Sequence, residues 1–179
     1  MRRTAQRLAV SSLLALIAAA GAPVAADAAA CDGADRSPEK LGQKATIRTT
    51  LCLLNKERIS RGLRKLRADS KLHRAADGHA DDMVARHYFD HDSKSGTSFI
   101  TRIERTGWTR SRRSWTVAEN IGYGSGSYAT PLAMVQGWMR SSGHRANILA
   151  REFRMIGIGV ANAAPMGDRG ATYTTDFGG

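Results

Sequence analysis

The order of hydrophobic patterns along the chain predicts an α+β fold with a small antiparallel sheet. Segments of helical period come first, stretches that alternate apolar and polar residues come later, and too few βαβ alternations occur for a parallel sheet. The last two alternating stretches flank a loop around Pro165 to Gly170, so they are expected to pair as a hairpin.

Each element has its own signal. Ile47, Leu51, Leu54 and Ile59 recur at near-helical spacing up to Gly62, a suitable C-terminal stop. A second helix follows Asp69 or Ser70 as N-cap, with Leu72, Ala75, Ala76, His79, Ala80, Met83, Val84 and His87 on one stripe. A third runs from about Ser98 to Gly107. The fourth opens with Thr130 as cap and Pro131 at the first helical position, and continues to about Ser141. Val117, Glu119, Ile121 and Tyr123 share one side of the first predicted strand. Ile156, Ile158 and Val160 share one side of the second, with Gly157 and Gly159 opposite, and Tyr173, Thr175 and Phe177 mark the third.

The N-terminus reads as an export signal. Arg2, Arg3 and Arg7 precede an apolar run from Leu8 to Ala20, and small residues at Val24 to Ala26 or Ala28 to Ala30 offer cleavage sites. The run falls short of the ~20 residues of a membrane-spanning helix, so the exported chain is expected to lack a transmembrane segment. We divide the sequence into a signal peptide at 1–30, an N-terminal tail at 31–45 and one domain at 46–179. About 150 residues suffice for a single core. The only two cysteines, Cys31 and Cys52, are expected to form a disulfide under oxidising conditions. The alternative is a lipid on Cys31, although Ala28 stands where a lipobox usually carries leucine.

The full sequence carries a net charge of +11, and removing the signal with its three arginines leaves +8 or +9, depending on whether Asp27 goes too. In the cytoplasm such a charge points to nucleic acid. Outside the cell it points to wall polymers or lipid headgroups, so nucleic acid is excluded as a partner. The densest cluster, Arg102, Arg105, Arg110, Arg112 and Arg113, lacks interleaved stacking aromatics and reads as a solvated face.

One chemical constellation stands out. Tyr88-Phe89-Asp90-His91-Asp92 is followed by Ala118-Glu119-Asn120 and then by Trp138-Met139-Arg140-Ser141-Ser142-Gly143-His144-Arg145-Ala146-Asn147-Ile148-Leu149. Glu119 sits among apolar neighbours on its strand, so it requires a cation or hydrogen-bond donor nearby. His91 and His144, each read as following a helix, are expected to converge on that strand and can hold a divalent metal such as zinc. Water would complete the shell, and binding would be weak. Glu119 with Asn120 can equally be a polar core network that ties the strand to the fourth helix.

In order and spacing these segments resemble the bacterial branch of the CAP superfamily, the SCP-like extracellular domains of the cysteine-rich secretory protein family, from about Thr46 to Phe177. The resemblance implies a three-layer α-β-α sandwich, a secreted monomer, and a central cleft lined by His91, Glu119 and His144 in which the two histidines bind a metal. Where many animal members carry a second glutamate, three residues after the tryptophan, this chain has Ser141. Leu54 replaces the histidine of the animal His-Asn-x-x-Arg pattern, which reads Leu54-Asn55-Lys56-Glu57-Arg58 here.

Other residues carry less. His79 reads as a hydrogen-bonded core histidine, His73 as exposed, and Asn55, Arg58 and Trp138 as packing and hydrogen bonding. His87 and His91 lack the glutamate of a His-Glu-x-x-His metalloprotease. Ser141 and Ser142 do not sit on a strand-turn-helix elbow, which leaves a metal-bound water as the only nucleophile. The favoured expectation is an extracellular module binding a lipid, peptide or wall component. The alternatives are a metal-dependent hydrolase with Glu119 as base, and a structural scaffold.

Overall fold

The computed structural model describes residues 31–167 and 169–179; the expected export signal lies outside them. Helices α1 (Pro38–Leu41) and α2 (Gln43–Ile59) lead into a short strand β1 (Arg67–Ala68) and α3 (Ser70–Ala85). Then follow α4 (Phe99–Arg105), β2 (Val117–Gly124), a 3-10 turn at Gly126–Ala129, α5 (Pro131–Arg140), α6 (Ser142–Leu149), β3 (Met155–Ala161) and β4 (Ala171–Gly178). Asp69 caps α3 by accepting from the backbone N–H groups of Lys71 and Leu72, and Thr130 caps α5 through Ala133.

The sheet order is β1-β3-β4-β2, with β2, β4 and β3 antiparallel and β1 parallel to β3. β3 and β4 form the expected hairpin. β1 is an addition: two exposed residues carry no alternation from which a strand can be read.

The two sheet faces are packed differently. Ile156, Ile158, Val160, Tyr173 and Phe177 join Leu53, Leu54, Met134, Val135, Trp138 and Ile148 in the larger core beneath α2, α5 and α6. On the other face Leu72, Ala75, Ile103 and Trp108 pack under α3 and α4. This is the three-layer α-β-α arrangement. α3 lies so close to β3 that a Cβ on Gly157 or Gly159 would strike the backbone of Leu72 or Ala76, which explains the paired glycines in an otherwise β-branched strand.

The stretch 31–45, expected as a tail, is part of the packed domain. It contains α1 and the start of α2, and its backbone bonds α5 through Leu132 N–H to Ala34 O at 2.9 Å. Cys31 and Cys52 are joined in a disulfide with Cα atoms 5.8 Å apart, which occupies the sulfur a lipid anchor would need.

Arg58 is fully buried and donates to the carbonyls of Arg64, Ile148, Ala150 and Phe153, so it staples the loop after α2 to the loop after α6. Asn55 exchanges two bonds with the backbone of Leu66. Both residues serve packing and hydrogen bonding.

Candidate functional site

β2 is the edge strand beyond β4, and the site is built around it. Glu119 points to the α3 face. Its side chain is wholly buried, with Oε2 accepting from Arg102 Nη2 at 2.6 Å and Oε1 from His91 Nδ1 at 2.8 Å. The partner that the buried carboxylate required is therefore supplied twice, by a guanidinium and by an imidazole N–H.

Arg102 overturns the reading of its cluster as a solvated face. Its side chain is 11% exposed and also donates to Ser93 Oγ, Thr97 O and His91 O, so it holds the 91–97 loop against α4 as it pairs with Glu119. Arg112 is half-buried, stacks over the Trp108 ring at 3.9 Å and donates to Trp108 O. Arg105, Arg110 and Arg113 do face solvent. The available signal was position: Arg102 sits in the turn of an amphipathic helix next to the fully buried Ile103.

Asp176 was also missed. It lies directly opposite Glu119 in the β2–β4 register, is fully buried, and neither of its oxygens has a donor. Burial and then the Glu119 charge push its pKa well above the usual carboxylate range. Both causes favour the protonated form of Asp176, and the group facing it across the ladder is the Glu119 carboxylate. A lone carboxylate inside an alternating strand, the same signal that marked Glu119, would have found it.

Asn120 points the other way. Its Nδ2 donates to His144 O at 3.1 Å, and Asn147 Nδ2 reaches Asn120 Oδ1 at 2.8 Å and Glu119 O at 3.3 Å. Trp138 Nε1 donates to Ile121 O at 3.0 Å. Trp138 and Asn147 thus satisfy carbonyls of an edge strand, which blunts it against pairing with another chain. The polar network ties β2 to α6, beyond the fourth predicted helix. His144 also differs from expectation: it lies within α6, where a loop residue was foreseen, because Ser142-Gly143 starts a new helix after the break at Ser141.

His91 has a half-exposed side chain, and the hydrogen bond to Glu119 raises its pKa above the ordinary histidine value. With Nδ1–H committed to Glu119, Nε2 remains free, the arrangement that orients a metal-binding imidazole. The pKa of His144 is lowered, first by burial and then by the charge of His91. Among the described residues no group of three or more His, Cys, Asp or Glu side chains is arranged to hold a metal ion. Each oxygen of Glu119 already accepts a hydrogen bond, which leaves the two imidazoles as the uncommitted donors of the constellation.

His79 is buried, donates from Nε2 to Asp90 O at 2.9 Å and contacts Tyr88, as expected of a core histidine. His73 is half-buried, against expectation, because its Nδ1 donates to Ile158 O at 2.7 Å on the opposite edge of the sheet.

From His144 an open groove of about 400 Å3 runs along β2 and α5. Trp138, Met134 and Ile121 line it, and Phe89, Tyr123 and Tyr128 stand around it. Phe89 meets Tyr123 edge to face at 4.8 Å, and Tyr128 is 74% exposed.

A three-layer α-β-α domain with a buried glutamate clamped by histidine and arginine at the sheet edge, and a second histidine on the helix capping that edge, defines a bacterial SCP-like domain. The chain belongs to the cysteine-rich secretory protein family, the CAP family, whose model matches residues 51–175. It is similar to the uncharacterized protein YkwD of Bacillus subtilis (strain 168), 34% identical over 125 residues that make up 70% of this chain and 44% of that protein. It is also 35% identical over 118 residues to the uncharacterized membrane protein YlbC of the same organism, covering 66% of this chain and 32% of that one. The chain therefore spans less than half the length of these curated relatives. Among solved structures it resembles an extracellular protein containing an SCP domain from Bacillus anthracis, with TM-score 0.63, 29% identity, and coverage of 79% of this chain and 43% of that one. An outer surface protein from Borrelia burgdorferi shares the fold, with TM-score 0.56, 19% identity and coverage of 70% and 85%. No helix among the described residues is long and apolar enough to cross a membrane.

Proposed function

We propose that this is an exported ligand-binding module, and that the groove along β2 and α5 takes a lipid, peptide or wall component beside a weak divalent metal site at His91 and His144. The observation that carries this reading is an open, aromatic-lined groove ending at His144. Exposed rings around an apolar floor supply contact area, while the imidazoles at one end supply orientation.

A hydrolase reading fares worse. Both oxygens of Glu119 accept hydrogen bonds, from His91 and Arg102, and its side chain is wholly buried, so it is not presented to a water in the groove. Its role here is to fix the tautomer of His91. Zinc bound at His91 and His144 would add positive charge and an exchangeable coordination position at the groove end.

Calorimetric titration with zinc tests the proposal. Binding in the micromolar range or weaker, lost in both His91→Ala and His144→Ala while thermal unfolding is unchanged, is the expected result. Zinc affinity that survives both substitutions removes the metal site from the proposal. A Tyr123→Ala, Tyr128→Ala double variant that still binds a ligand found by screening with wild-type affinity removes the groove.

A further inference from the structure

The loops stapled by Arg58 carry a second site. Segments 56–67 and 151–154 together hold eight arginines and lysines against two carboxylates, Glu57 and Glu152. Glu57 already pairs with Arg61 at 2.7 Å, and among the described residues Arg64, Lys65, Arg67, Arg151 and Arg154 form no ion pair. The loops meet in a notch of about 250 Å3 lined by Arg58, Gly62, Leu63, Arg64, Arg151 and Arg154.

We propose that this notch binds a phosphate group of a linear phosphate-bearing polymer, with Arg64, Arg151 and Arg154 as its contacts and Lys65 and Arg67 beside them on the following phosphates.

Three features of the site favour this ligand chemistry. The notch is fixed: Arg58 holds Arg64 O at 2.8 Å, Ala150 O at 3.0 Å and Phe153 O at 3.1 Å, so the arginines on the two loops are held near one another before any ligand arrives. Four of the five N–H groups of Arg58 are thereby spent on carbonyls, which accept hydrogen bonds without cancelling its charge. The site also lacks its counter-charge. Arg154 opposes the charge on Arg58 and, second to burial, lowers the Arg58 pKa, with Glu152 as the only opposing carboxylate. An anion between these guanidiniums relieves that repulsion. Finally, Arg154 uses only Nη1 on backbone carbonyls, Phe153 O and Arg151 O, and keeps Nε and Nη2 for a ligand. Guanidinium forks match the tetrahedral array of phosphate oxygens two at a time, which a single carboxylate does not exploit at three arginines. The run Arg64, Lys65, Arg67 along exposed backbone extends the site in one dimension, as a polymer requires.

The notch shares no lining residue with the groove, so the inference stands apart from the metal and groove proposal. The probe is linear polyphosphate, with inorganic phosphate as the single-group control, anionic phospholipid vesicles as the membrane control, and competition measured by fluorescence anisotropy over a salt series. The triple variant Arg64→Gln, Arg151→Gln, Arg154→Gln is compared with Arg105→Gln, Arg110→Gln, Arg113→Gln, which removes the same charge from the other basic surface. The expected result is tenfold or greater loss of polyphosphate affinity in the notch variant, with the salt slope reduced by about one unit per contacting arginine, and less than threefold loss in the control. Equal losses in the two variants mean attraction by net charge alone and overturn the proposal. So does wild-type binding confined to vesicles, or a notch variant that binds as well as wild type. The double variant Arg64→Gln, Arg151→Gln leaves the Arg154 backbone bonds in place and keeps the test open should the triple variant unfold.

Discussion

Glu119 and Asp176 face each other across the β2–β4 ladder, both buried, with cations on one carboxyl and none on the other. The asymmetry separates them: Glu119 is held by Arg102 and His91, whereas burial beside Glu119 favours the protonated form of Asp176. Because the folded pKa of Asp176 is raised, the folded state holds a proton that the unfolded chain releases above the ordinary carboxylate pKa. This contribution to stability is complete at acid pH and declines as pH rises from about 4 towards the folded value.

Asp176→Asn keeps the shape and a donor to Glu119 but removes the titration. The variant should gain in unfolding temperature relative to wild type at pH 8 and show little gain at pH 4, measured by thermal unfolding across that range. A gain independent of pH would show that Asp176 is not the neutral member of the pair.

Arg102→Met should cost about 3–5 kcal/mol, since it strips the closer cation from a wholly buried carboxylate. Adding Glu119→Gln should recover part of that loss, because the remaining amide has no charge to compensate. Denaturant unfolding of the two single variants and the double closes the cycle; additive losses would mean that Arg102 acts through the 91–97 loop alone.

His91 should titrate above, and His144 below, the ordinary histidine pKa near 6.5, read from imidazole shifts by nuclear magnetic resonance. Glu119→Gln should bring His91 down, since the hydrogen bond to the carboxylate is the main cause of its shift. His91 contributes stability below pH 6.5 that is lost as pH rises through its folded value, reduced by its half-exposed position, and His144 contributes in the opposite sense. An unshifted His91 in wild type would break the link between it and Glu119.

Reduction of the Cys31–Cys52 disulfide should lower stability by about 3 kcal/mol, the loop-closure value for a separation of 21 residues. The Cys31→Ser, Cys52→Ser variant should show the same loss with unaltered zinc affinity, because no residue of the bridged segment lines the groove or bonds to His91 or Glu119. Loss of zinc binding in that variant would tie the N-terminal segment to the site.

The sequence by itself determined the α+β class, the caps at Asp69 and Thr130, the β3–β4 hairpin, the glycine-lined face of β3 and the demand of Glu119 for a cation. These depend on local period, on turn chemistry, or on a polar residue out of place in an apolar pattern, and all of them are visible within a few residues. The tertiary structure decided which cation answered Glu119, that Asp176 stands across from it, that β1 joins the sheet through two exposed residues, and that Arg58 draws two basic loops into one notch. Those outcomes depend on register and on contacts between segments far apart in the chain. An arginine run looks solvated until packing buries one member, and a carboxylate looks ordinary until a ladder sets another beside it.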